Sequence, residues 1–438
     1  MQKYLFIMID FDIFDSFPKI STKQWKQKIQ FELEGDDYNK RCIWQSAEEI
    51  AINSFYNAET TASLRFFWER NTQLLIPISE NIINDIFAQY TDFEQFIINN
   101  TLQKEFIPFL DKLPKNKTFF LPIHQKLSKQ DLDKIFSLPN IQLLFDPIGN
   151  LAKTGNFFEN KSKDIEIWKS IFYEDKNLFI DAQFLAESGA THLQQIAYTL
   201  AILSDYISFL EETPTSFRVT IQIASLPDLY LEAPKIKALR WLFESIFNIN
   251  KSIDLEIISN PSTRFTSFLK DEKEYNEIRY KWTLQGAIWG GCNYFIPQKP
   301  FEATININFL EFCRKKIKEN TTNPINNSFY FDTITYQMAQ KSLRIWQSIV
   351  SNKGFLSQLK NHIIQRKIKE KSRSKNQDFY SDFSPQNTNL QEFAKEFLHK
   401  KNYQKTLLEP ILPKRVTELY EQKFLKNEQN RPFSNKID

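Results

Sequence analysis

From residue 73 onward the chain repeats one alternation: an apolar run of strand length, then a stretch with helical periodicity. The runs are 73–78 (QLLIPI), 118–123 (TFFLPI), 141–146 (IQLLFD), 177–182 (NLFIDA), 217–224 (FRVTIQIA), 253–258 (IDLEII), 292–297 (CNYFIP) and 328–333 (SFYFDT). Between them, Leu193, Ala197, Leu200, Leu203, Ile207 and Leu210 share one face of a helix that Thr191 and Gln194 are placed to cap. Ile236, Leu239, Trp241, Leu242 and Ile246 make a second such face. Strands joined through helices pair in parallel, and eight is the number that closes a parallel sheet on itself. The expectation is an α/β fold: a (β/α)8 TIM barrel over residues 61–374, an N-terminal arm over 1–60 and a C-terminal helical extension over 375–438. An open doubly wound sheet is the alternative, and its usual glycine fingerprint is missing.

Glycine narrows the chemistry. The chain has only 8, and no spacing among them makes a phosphate-cradling loop, because such loops need glycine for backbone amides to close on the anion. Three cysteines, Cys42, Cys292 and Cys313, stand far apart and form no metal-ligand pair. A net charge of +3 supplies no bulk field for nucleic acid. No apolar run reaches membrane-spanning length, and the first residues lack a signal-peptide pattern. A protein of the cytoplasm is expected, with no nucleic-acid or membrane partner.

The arm carries its own signal. Ser21 and Gln24 have capping-box spacing, and Trp25, Ile29 and Leu33 recur on one helical face before Gly35 ends it. Together with Phe14, Phe17 and Trp44 this is more apolar material than a solvated extension carries. These residues are the expected partner interface, with folding back onto the chain's own body as the alternative.

Enzymes with this architecture work at the C-terminal ends of their strands. The groups available there are His124, Asp146, Asp228, Thr266 and Ser267, with Phe184 following the run 177–182. His124 and Asp146 make either an acid–base pair or an unrelated loop and turn. On the run 217–224, Arg218, Thr220 and Gln222 share a face; on the next, Asp254 and Glu256 do. Facing inward, they form either a plug of mutual ion pairs or a passage for a polar ligand.

The segment 181–201 (DAQFLAESGATHLQQIAYTLA) resembles the cobalamin-dependent acyl-CoA mutases, methylmalonyl-CoA mutase above all. So do residues 21–59, 145–155 (FDPIGNLAKTG), 235–246, 327–349 and 354–368, in order along nearly the whole chain. The nearest likeness is to the small, non-catalytic subunit of heterodimeric members. The resemblance implies a histidine in a GYHMQEAG-like loop, and here Phe184 stands in its place. A TIRQYAGF-like segment has no counterpart before the first strand. A TSG-x-SL stretch survives only as Thr266-Ser267, and Arg218 matches a basic residue of a catalytic strand. The family's cobalt-binding D-x-H-x-x-G motif fits none of the four histidines: His124, for one, has Pro122 before it and Leu127 after it. The implied role is a subunit with no catalytic, cofactor or metal site of its own, lacking a cobalamin-binding domain. Its partner would be a large catalytic subunit carrying adenosylcobalamin and interconverting methylmalonyl-CoA and succinyl-CoA. An active mutase chain served by a separate cobalamin-binding subunit, or an orphan scaffold, are the alternatives.

Overall fold

The computed structural model describes residues 20–46, 48–59, 71–78, 92–98, 109–248, 252–301, 307–319, 325–382, 390, 398 and 405–429. Phe14 and Phe17 lie outside these residues. Nine strand segments are parallel to their neighbours among the described residues: β3 (Gln73–Leu74), β4 (Ile76–Ile78), β5 (Gln95–Ile98), β6 (Thr118–Pro122), β7 (Ile141–Leu144), β8 (Asn177–Asp181), β9 (Ser216–Ser225), β10 (Ser252–Pro261) and β11 (Tyr294–Phe295). They follow a short antiparallel pair, β1 (Ile43–Gln45) and β2 (Ala51–Asn53).

The order in one sheet is β4-β5-β6-β7, and in the other β3-β11-β10-β9-β8. Only Leu75 separates β3 from β4, so the run 73–78 serves both sheets, and Leu75 N bonds Phe295 O at 2.9 Å. The whole order therefore runs from β7 to β8 through eight strand positions. A flat sheet of that order would hold its two edges roughly 34 Å apart at about 4.8 Å per strand. Instead Leu75, Ile97, Phe120, Leu144, Phe179, Ile258 and Ile296 meet in one buried cluster that includes both edge strands. These residues make one apolar belt along a shared face of the strands. The larger core lies outside it, between strands and helices such as His192–Ser208 and Leu229–Phe247.

Two strand expectations change. QFII (95–98) is a strand, and SFYFDT (328–333) opens the helix Phe329–Ser351. In that helix Phe331, Ile334, Thr335, Met338, Ala339 and Ser342 are buried at helical spacing, so the period over 23 residues outweighs the local alternation of aromatic rings. The run 177–182 is consequently the fifth strand position, not the fourth. The boundary expected at residue 374 falls inside the helix Ile363–Asp382. No helix among the described residues is long and apolar enough to cross a membrane.

The arm divides in two. Its helix Thr22–Glu32 has the expected reciprocal cap between Ser21 and Gln24 but no buried residue. Trp25 stacks on Phe55 at 4.7 Å between centroids, and Phe31 is fully solvent-facing at 83% exposure. Further on, Ser46, Glu48 and Ile50 are buried against the body. Glu48 accepts from His192 N at 2.8 Å and Leu193 N at 3.1 Å, capping that helix from 144 positions away. Folding back thus applies to the second half of the arm.

Candidate functional site

A polar ring sits at the C-terminal ends of β8 and β10. Asp181, the last residue of β8, takes Lys153 Nζ at 2.5 Å and Gln183 Nε2 at 3.2 Å. Gln183 Oε1 in turn accepts from Asn260 Nδ2, near the end of β10, at 2.8 Å. Burial alone would raise the Asp181 carboxyl, but the Lys153 charge and the hydrogen bonds from Lys153 and Gln183 together outweigh it and hold the carboxyl below its ordinary value. Lys153 answers in kind, raised by Asp181 against its own burial. The pair is ionised and mutually satisfied.

His124 stands at the rim beside this pair. Loss of surrounding water and the Lys153 charge lower its pKa, with Asp181 opposing, so the imidazole is neutral near pH 7. Asp146 faces elsewhere. Its Oδ1 accepts from Gly149 N at 2.7 Å and Tyr206 Oη at 2.5 Å, and its Oδ2 from Asp181 N at 2.8 Å. A Cβ at Gly149 would collide with this carboxylate, which is why the residue after Pro147-Ile148 has none. Asp146 is a helix cap and a brace to the next strand, not the partner of His124.

Phe184 follows directly, on the helix Gln183–Ser188, at 2% exposure in the main core. Gln183 turns into the polar ring while its neighbour turns away from it. Arg218 lies at the other end of the fold: it is the third residue of β9, in register with Asn177 and Asp254. Its Nε is 3.8 Å from Glu256 Oε1, and the side chain is 40% exposed. Of the polar groups expected as an inward plug, Arg218, Asp254 and Glu256 therefore lie toward the N-terminal ends of the strands, whereas Thr220 is in register with Phe179 and Gln222 with Ile258, at the level of the apolar belt.

Thr266 and Ser267 are buried under the C-terminal segment. Thr266 O accepts from Arg415 Nη1 at 2.9 Å, and Phe268 N donates to Glu421 Oε1 at 2.8 Å. Arg415 and Glu421 form a buried ion pair, with the guanidinium 3.5 Å from the Phe268 ring centre. The same segment bonds its way across the rim: Leu407 N to Gly155 O (3.0 Å), Ile411 N to Ala152 O (2.8 Å), Lys414 N to Glu187 O (2.9 Å) and Val416 N to Arg264 O (2.8 Å). It straps the connections that follow β7, β8 and β10.

Sequence reasoning singled out Asp146 and His124, and placed Gln183 and Asn260 at strand ends, but gave no pairing to Lys153, Asp181, Gln183 and Asn260. Three of the four lie in segments already quoted for their resemblance, and only pairing in space brings them together. Of the expected interface residues, Trp25 and Ile29 are half-buried and Trp44 is exposed.

Comparison with known proteins gives a match to the family described as Methylmalonyl-CoA mutase over residues 151–384. The methylmalonyl-CoA mutase small subunit of Porphyromonas gingivalis is 19% identical over 417 residues, covering 81% of this chain and 67% of that protein. Methylmalonyl-CoA mutase of Rhizobium meliloti is 20% identical over 260 residues, covering 55% of this chain and 35% of that protein. The chain thus spans about two thirds of the first relative and about a third of the second.

Proposed function

This chain belongs to the methylmalonyl-CoA mutase family, and from that premise we propose that it is a non-catalytic small subunit. Its partner is a large mutase subunit that isomerises methylmalonyl-CoA and succinyl-CoA with adenosylcobalamin. We read the strands as a closed (β/α)8 barrel whose inner face is packed with side chains.

The observation that carries the reading is Phe184. Where the resemblance implies a histidine able to hydrogen-bond substrate, this chain has a ring with no donor, buried in the core at 2% exposure. The neighbouring polar groups are spent on each other, and Thr266 and Ser267 are bonded or walled in by the C-terminal segment. The likeness to a protein named as a small subunit points the same way.

The residues do not fit a cobalamin. None of the four histidines has the D-x-H-x-x-G surroundings. His192 is buried against Glu48 at 2.5 Å. The cofactor belongs, in this reading, to the partner. The setting is the cytoplasm, where three separated cysteines stay reduced.

The test is copurification. An affinity-tagged chain expressed in the cell that encodes it should carry a large mutase subunit in equal amount through size exclusion. Recovery of the tagged chain alone, with the large subunit present in the same lysate, would remove the subunit reading.

A further inference from the structure

A cavity lies away from the polar ring. Its volume is about 840 Å3, and it opens between the end of β1, the β9-to-helix turn and the helix Lys273–Gly290. That volume is within the range of small-molecule sites, roughly 300–1,000 Å3. Its mouth is aromatic: Trp44, Tyr230, Tyr275 and Trp282 all line it and are each more than half exposed.

The lining also carries the carboxylates of Glu48 and Asp228. Glu48 is committed to the N-terminus of the His192–Ser208 helix. Asp228 Oδ1 accepts from Leu231 N at 3.2 Å, and the residue has no ion pair with a lysine or arginine among the described residues. The nearby cationic groups are already used: Lys235 pairs with Glu232 at 2.5 Å, and of the two that line the cavity Arg279 pairs with Glu272 at 2.7 Å and His192 lies 2.5 Å from Glu48. Loss of water raises the Asp228 carboxyl above its ordinary value, with the His192 charge and the Leu231 N–H opposing and the neighbouring Glu232 and Glu48 adding to the rise. Electron-rich ring faces around a carboxylate attract a positive, poorly hydrated head group and repel an anion.

We propose that this cavity binds a small organic ammonium ion, its cation between Asp228 and the ring faces and its apolar body against Trp44 and Trp282. The site goes beyond the subunit reading and does not depend on it.

The probes are phenethylammonium, its neutral counterpart phenethyl alcohol and the anion 3-phenylpropionate, titrated into the full chain by calorimetry. The ammonium should bind saturably, at least about tenfold tighter than the alcohol, with the anion weaker still. Asp228→Asn removes the charge but keeps a side chain that caps the helix; it should bring ammonium and alcohol within about threefold of each other while circular dichroism is unchanged. Trp282→Ala, at a solvent-facing position, should weaken the ammonium about tenfold. No saturable binding, equal binding of ammonium and alcohol to the unaltered chain, or an unchanged preference in folded Asp228→Asn overturns the proposal.

Discussion

The backbone N–H of Asp181 donates to Asp146 Oδ2 at 2.8 Å, linking the ends of β7 and β8, which share no ladder among the described residues. Burial pushes the Asp146 carboxyl from 3.8 up to about 6, against the opposing bonds from Tyr206, Gly149 and Asp181. The folded chain therefore holds that proton more tightly than the unfolded chain, and stability from this group falls as pH rises from about 4 to about 6. The full effect is about 3 kcal/mol. Relative to Asp146→Asn, the unaltered chain should lose up to about that much across the window in urea unfolding. A pH-independent difference between the two contradicts it.

The strap over the strand ends depends on Arg415 and Glu421, both buried. Arg415→Ala leaves a carboxylate uncompensated in the interior and should cost about 3–5 kcal/mol. The double replacement Arg415→Met with Glu421→Leu should cost clearly less. Equal losses in urea unfolding for the single and double variants would show that the pair is not what holds the strap.

Phe184 should behave as a core residue. Phe184→His puts a polar ring into the apolar core and should destabilise by roughly 2–4 kcal/mol. It should restore no isomerisation, because the position faces away from the polar ring. A stable variant with measurable turnover would return the residue to the site.

Much of the architecture was legible because strand-to-helix alternation is a local signal. The error at 328–333 arose where three consecutive aromatic rings mimicked a strand inside a helix of 23 residues. QFII was missed because four residues carry too little pattern to stand out. The site was less legible. Arg218 matched a motif by residue type, but its place at the start of β9 puts it at the far end from Asp181. The Lys153–Asp181–Gln183–Asn260 chain joins residues up to 107 positions apart, and no spacing rule encodes that.

The arm supplies a separate prediction. Its helix has no buried residue, and the body contacts that hold the arm begin later, at Ser46 and Glu48. Deleting residues 1–35 should leave circular dichroism and the thermal midpoint close to those of the full chain, while association with a large mutase subunit on size exclusion is lost. Unfolding of the truncated chain, or undiminished association, would show that the helix is not the partner anchor.

The most direct measurement is isomerisation by the purified chain alone, supplied with methylmalonyl-CoA and adenosylcobalamin and followed by succinyl-CoA formation. The account predicts no turnover above the protein-free control. Turnover by this chain without any other protein would contradict it.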